Sequence, residues 1–333
     1  MKIFLPFLLI LLTASCYKPT EILYVRTFYI MGSEFQYKLY CKKKPICEKA
    51  VRESQERLNQ IDFLFSNYRE DSVLTKVNLN ASISPVSVPA EFINLTEQSV
   101  YFSELTKGAF DITVGNLFEL WKKSSKTHQM PEKSQIESAL KCTGYKKILL
   151  DKTNNTVSFD SNCLELDFGA IGKGYAVDEV VKIVKSRGIK KGLINFGGNI
   201  YALDKQTGEK GWEVGVNDPF NKSSVVDFIK IDNLGVATSG DYEKYFLING
   251  KRYSHIIDPH TGYPVENLSS VTVLADSATK ADALSTAFSV MGKNKTENFA
   301  EKNKVAGVMI IDGDRSNYKV FKSEGFKSIQ DAD

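Results

Sequence analysis

Leu166-Asp167-Phe168-Gly169-Ala170-Ile171-Gly172-Lys173-Gly174-Tyr175-Ala176-Val177-Asp178 is the stretch around which the chain is organised. An apolar run, Cys163 to Phe168, predicts a short strand that enters three glycines at 169, 172 and 174. Val177, Val180, Val181 and Val184 then recur at helical spacing, so a helix follows the turn. A glycine-rich turn at a helix start lets backbone N–H groups approach a phosphate, and the helix dipole favours the anion. Lys173 adds a cation to that turn, and Asp167 places a carboxylate before it. The spacing matches neither a P-loop nor a dinucleotide-binding fingerprint. A tight turn packing a strand on a helix is the plainer alternative.

Around this centre the composition is ordinary. The chain has 333 residues, 42% hydrophobic and 25% charged, with a formal net charge of +3. That charge is small for the length and gives no reason to expect a nucleic-acid partner; Lys42-Lys43-Lys44 reads as a solvated loop. The amino terminus reads as an export signal. Lys2 precedes an apolar run from Phe4 to Leu12, too short to span a bilayer, and Thr13-Ala14-Ser15-Cys16 follows. Small residues directly before a cysteine resemble a lipobox, with Thr13 where that motif usually has Leu; Cys16 would then be acylated. The expected organisation is a signal peptide over 1–15, a tether over 16–24 and a folded body over 25–333. The body is expected outside the cytoplasm, held by lipid to a bacterial membrane (on the periplasmic side in a Gram-negative cell). Cys41, Cys47, Cys142 and Cys163 remain, an even number with three possible pairings. Cys41–Cys47 with Cys142–Cys163 is the favoured set, the second clamping a hairpin of 147–150 against 156–159.

In chain order, strands are expected over 25–30 and 34–40, joined at Met31-Gly32-Ser33, and a helix over 47–65. A polar loop carries Tyr68, able to stack on a flat ligand or simply to pack. A helix over 89–106 is followed by Gly108 to Gly115, a strand-like run in which Asp111 is either a paired acid or a ligand contact. The stretch 124–144, with His128, reads as polar surface. Beyond the central turn come a strand over 192–196, the bend Asn195-Phe196-Gly197-Gly198-Asn199, and strands over 212–216, 228–231 and 236–238. A lobe boundary is expected near 200–225. His255 to Pro264 places two of the chain's three histidines with Asp258 in a proline-bounded turn. Last, a helix over 275–292 sets Asp282 and Thr286 one turn apart on one face, two hard oxygens of the kind Mg²⁺ takes.

Together these segments resemble the ApbE family of flavin transferases. Met31-Gly32-Ser33, the 66–72 loop, Gly108–Gly115, Asp167–Asp178, Asn195–Asn199, Ala237–Glu243, His255–Pro264 and Ala281–Thr286 occur in that family's order. The resemblance implies an α+β fold with antiparallel sheets and flanking helices, two lobes around a flavin-binding cleft. It implies an enzyme that uses FAD and Mg²⁺ to pass FMN to a Thr or Ser hydroxyl of an acceptor protein, releasing AMP. Such acceptors are expected to be redox-complex subunits. It places Met31, Tyr68, Ala109, Phe110, Asp111, Asp167, Lys173 and Ile256 at the FAD site, and Asp282, Thr286 and the Ala170 carbonyl on the metal. His255 is the candidate base, with Asp258 orienting its loop or sharing its role; His260 is assigned nothing. A metal-dependent FAD pyrophosphatase and a non-catalytic FAD-binding lipoprotein are the competing readings.

Overall fold

A computed structural model describes residues 21–205, 208–240, 244–266 and 268–331. The signal peptide, Cys16, most of the tether and the Asp241-Tyr242-Glu243 end of one motif lie outside these residues.

The chain opens on a hairpin, β1 (Ile22–Ile30) and β2 (Ser33–Cys41), so the strand begins inside the stretch read as tether. In β2 every second residue is buried: Phe35, Tyr37, Leu39 and Cys41 face the core, which is the period of a half-covered sheet. The long helix α1 (Lys44–Phe65) starts with proline in its first turn, where a missing N–H costs nothing. Cys41–Cys47 ties it to β2. Then follow α2 (Val73–Asn80), capped by the Ser72 hydroxyl, β3 (Val86–Ser87) and α3 (Ala90–Leu105). Two helices follow, α4 (Gly115–Thr127), whose end enters the stretch read as polar surface, and α5 (Lys133–Lys141), which lies within it. Their polar outer faces hid a narrow apolar stripe: Leu117, Trp121, Ile136 and Ala139. Next is the expected hairpin, β4 (Ile148–Asp151) with β5 (Thr156–Phe159), and Cys142–Cys163 closes across it.

The 163–168 run is extended but joins no sheet. Its backbone is satisfied elsewhere: Asn78 on α2 bonds both the N–H and the carbonyl of Leu166, and Asp167 N–H donates to Ile112 O. After it come α6 (Gly172–Ser186), β6 (Lys191–Phe196), β7 (Asn199–Ala202), β8 (Trp212–Asp218), β9 (Asn221–Ile231) and β10 (Gly235–Gly240). A short hairpin, β11 (Tyr245–Ile248) and β12 (Lys251–Ser254), precedes β13 (Leu268–Ala275). The chain ends with α7 (Ala278–Lys302), broken at Gly292, then β14 (Gly307–Asp314), β15 (Asn317–Lys322) and α8 (Glu324–Asp331).

Eight strands form one antiparallel sheet in the order β1-β2-β6-β7-β10-β13-β14-β15. One face is covered by α1, α6 and α7, where Val177, Val180, Val181 and Val184 are buried, each worth about 1.5–3 kcal/mol. The opposite face is covered by the β8–β9 ribbon and α8. A separate core joins α4 and α5 to the β11–β12 hairpin. The fold is therefore α+β with antiparallel sheets. The expected boundary near 200–225 is corrected: that region belongs to the main sheet and its cover, and the smaller body is assembled from 115–142 and 245–264. Residues far apart in sequence build it, which composition along the chain does not reveal.

Candidate functional site

The turn before α6 is held open by its neighbours. Gly174 N–H would ordinarily close a helical bond to the Ala170 carbonyl; instead it donates to Asp282 Oδ2 at 2.9 Å. Among the described residues no N–H takes the Ala170 carbonyl, which is left as a spare acceptor beside the Asp282 carboxylate. Gly174 is required by packing: a Cβ there would lie 2.3 Å from the Ala278 carbonyl oxygen of α7. Asp178, one turn further on, fixes the same crossing by accepting from the N–H groups of Ala278 and Thr279 at the start of α7.

Asp282 is 5% exposed, and burial pushes its carboxyl above the ordinary range, with the Lys173 cation pulling the other way. Buried Asn199 lies between the two. With its amide oriented to satisfy both, its nitrogen is 3.1 Å from Asp282 Oδ1 and its oxygen 3.2 Å from Lys173 Nζ. Thr286 follows Asp282 by one helical turn and lies 3.4 Å, hydroxyl to hydroxyl, from Ser239 on β10, which also meets Ser285 at 2.8 Å. Carboxylate, hydroxyl and free carbonyl are hard oxygens, and a buried acid gains from a cation, so this set fits Mg²⁺.

Lys173 also reaches the field of His255, which follows β12. His255 Nδ1 is 2.8 Å from the Lys244 carbonyl. A carbonyl only accepts, so the neutral ring carries its proton on Nδ1 and leaves the Nε2 lone pair bare. Burial lowers the imidazole from 6.5 to about 4; the bond to the Lys244 carbonyl works against this, and the Lys244 and Lys173 charges add to it. His255 is thus a neutral imidazole poised as a proton acceptor. Asp258 does not pair with it. Its Oδ1 accepts from His260 N–H at 2.9 Å and faces His260 Nδ1 at 3.0 Å, and its Oδ2 takes the Thr261 hydroxyl, so it builds the turn.

His260 has a role that the sequence reading passed over. Its Nε2 lies 3.0 Å from the Lys107 carbonyl, tying the 255–264 turn to the loop that carries 109–111. That loop is no strand: its N–H groups are used locally, Gly108 to Ser103 O, Ala109 to Thr106 O and Phe110 to the Thr106 hydroxyl. Ala109 and Phe110 bury their side chains in the main core. Asp111 spends one oxygen on the Thr113 N–H and hydroxyl and the other on Tyr145 N–H. The side chains of this run therefore shape the loop, whose expected place at the FAD site rests on the resemblance. Ile256 is likewise buried.

Asp167 is the remaining acid of the turn. It accepts from Gly169 N–H at 2.6 Å and from the Asn67 side chain, and desolvation raises its carboxyl. Lys244 lies in its field, which joins it to the His255 side of the site. Tyr68 follows Asn67 in the loop that meets Asp167; the Lys122 ammonium of α4 lies over its ring, 5.8 Å from the centroid, and at 81% exposure the ring remains accessible to a flat ligand. Met31, at φ 48°, forms the β1–β2 turn that meets Gly197 across Ser33, beside Asn199. The structure thus links Ala170, Lys173, Asp282 and Thr286 around the turn and α7, with His255 and Asp167 in the fields of Lys173 and Lys244, while Met31 adjoins the Gly197–Asn199 bend and Tyr68 the Asn67 contact to Asp167. Asn199 and Lys244 join them; Asn199 closed a quoted motif but carried no assigned chemistry.

The chain is similar to known proteins over most of its length. The model of the ApbE family matches residues 31–310. The FAD:protein FMN transferase of Haemophilus influenzae is 32% identical over 327 residues, covering 95% of this chain and 94% of the relative. That of Escherichia coli K12 is 34% identical over 282 residues, covering 83% and 80%. The crystal structure of the ApbE protein of Thermotoga maritima matches with a TM-score of 0.84 at 35% identity, covering 93% of this chain and 99% of that one. The apo Pseudomonas stutzeri flavinyl transferase ApbE matches with a TM-score of 0.83 at 29% identity, covering 93% and 98%.

Proposed function

The chain belongs to the ApbE family, and from that premise we propose that it transfers FMN from FAD to a Thr or Ser hydroxyl of an acceptor protein, using Mg²⁺ and releasing AMP. It is an enzyme of protein flavinylation. The observation that carries the reading is the capture of Gly174 N–H by Asp282, which leaves the Ala170 carbonyl free beside Lys173, with Asn199 bridging Asp282 and Lys173.

Asp282, Thr286 and the Ala170 carbonyl would hold Mg²⁺, which supplies Lewis-acid polarisation of the pyrophosphate. Lys173 places its ammonium where negative charge grows on the bridging oxygen as AMP departs. Tyr68 offers an open ring face to a flat part of FAD. His255 Nε2 accepts the proton of the acceptor hydroxyl as its oxygen bonds to the FMN phosphorus and the bond to AMP breaks. The Lys244 carbonyl holds the ring in the tautomer that leaves Nε2 free. His260 and Asp258 position this turn against the 107–111 loop.

Exported, lipid-held location is part of the same proposal. Two disulfides suit an oxidising compartment, and Cys16 follows an apolar leader with small residues before it. The test incubates the mature chain with FAD, with and without Mg²⁺ and an acceptor domain, and follows masses. An acceptor heavier by one FMN only with Mg²⁺ supports the transferase. AMP and free FMN regardless of acceptor would replace it with a pyrophosphatase, and unchanged FAD bound one to one with a binding protein.

A further inference from the structure

The main sheet is covered unevenly. On its outer face the β8–β9 ribbon and α8 pack over β6, β7, β10, β13 and β14. That cover stops where Trp212 meets Tyr40 of β2, with ring centroids 6.0 Å apart. Tyr40 pairs with Leu23, and beyond it lies β1, the edge strand. Its inward residues Tyr24, Phe28 and Ile30 pack on the main core. Its outward residues do not: Leu23, Val25 and Tyr29 belong to none of the described cores and are 52%, 51% and 79% exposed. A long edge strand with apolar side chains is a liability unless something covers it.

The position of the strand says what does. Ile22 follows Cys16 by six residues, a span of about 20 Å at full extension. With Cys16 acylated, the start of β1 cannot be further than that from the lipid headgroups. Leu23 to Tyr29 spans about 20 Å along one strand face, so only a strand lying flat covers all three. Tyr29, Tyr40 and Trp212 are amphipathic rings of the kind that settle at a membrane–water interface.

We propose that the outward face of β1 seats on the bilayer surface and lays the enzyme flat, an inference that rests on the lipid-anchor part of the function proposed above. At its far end β1 turns through Met31, which adjoins the Gly197–Asn199 bend of the site. A flat β1 therefore keeps the flavin site, on the helix-covered face of the same sheet, within one packed layer, about 10 Å, of the headgroups, and the preferred acceptor hydroxyl lies in a membrane-proximal segment of its protein.

The experiment measures hydrogen exchange of β1 in the full mature chain, in detergent and on phosphatidylethanolamine–phosphatidylglycerol vesicles. The mass of the amino-terminal peptide reports Cys16 acylation separately. We expect residues 22–30 to exchange about tenfold more slowly on vesicles. In a Leu23→Ser, Val25→Ser, Tyr29→Ser variant that protection is lost while its melting temperature and its transfer of FMN to a detached acceptor domain persist. Should the variant not fold, Tyr29→Trp in the otherwise native chain serves instead, its fluorescence quenched by brominated lipid tails if the face is seated. Acylated Cys16 without β1 protection or quenching overturns the proposal and leaves the anchor standing. If Cys16 is unmodified the anchor reading falls, and the same comparison on the unanchored chain at high lipid decides: protection upholds the face, its absence overturns it. Protection without vesicles that grows with protein concentration overturns it in favour of a second copy on β1.

Discussion

Replacing His255 by Gln separates its chemistry from its cost to folding. Burial holds the folded imidazole at about 4, against 6.5 when exposed. Between those values the unfolded chain takes up a proton that the folded chain refuses, so stability is present above pH 6.5 and is lost as pH falls through 4. From pH 7 to pH 5 the loss attributable to this one ring is at most about 2 kcal/mol. Asp111, Asp167 and Asp282, whose carboxyls burial raises, act in the opposite sense, but equally in both proteins. Urea denaturation of wild type and His255→Gln at pH 7 and pH 5 therefore isolates the term as a difference of differences. Transfer should fall about 10²–10⁴-fold in the variant while FAD still binds. In the wild type the acid limb of the rate profile should lie near pH 4, well below an exposed histidine. A limb at pH 6.5, or identical stability slopes in the two proteins, would refute the buried neutral base.

Three further substitutions probe the frame around it. Gly174→Ala drives a methyl group into the Ala278 carbonyl, which should cost about 1–3 kcal/mol by overpacking and lower Mg²⁺-dependent transfer with it; wild-type urea stability would refute the close approach of α6 and α7. Asp282→Asn removes a buried charge, so stability should hold or rise while transfer falls about a hundredfold or more; titration calorimetry should show Mg²⁺ binding lost, and a full rate would sink the ligand assignment. His260→Phe breaks the contacts to Asp258 and the Lys107 carbonyl, at about 1–3 kcal/mol, and should raise KM for FAD more than it lowers kcat, as steady-state kinetics would show.

What the sequence made legible follows from how each signal is encoded. Helices α1, α6 and α7 show their apolar period because one face of each is buried along most of its length, and Asp282 with Thr286 follows from helical geometry alone. The β1–β2 and β4–β5 hairpins were equally readable, since strand alternation and turn residues are local; the disulfides were one favoured set among three, which cysteine spacing alone could not decide. The α4–α5 body was not, because its core is completed by Phe246, Ile248 and Ile257 from more than a hundred residues away. The same limit misread 108–115 as strand-like: an apolar run with an embedded acid looks like a strand, and only the partners of Asp111 at Thr113 and Tyr145 reveal a loop that satisfies itself. Gly174 makes the distinction sharpest. As a sequence signal it read as backbone yielding to a phosphate. In the fold it is the point where α7 comes close enough for Asp282 to take the helix's own N–H, and that capture leaves the Ala170 carbonyl unspent. The glycine thus serves the ligand indirectly, through the packing that frees a neighbour's oxygen.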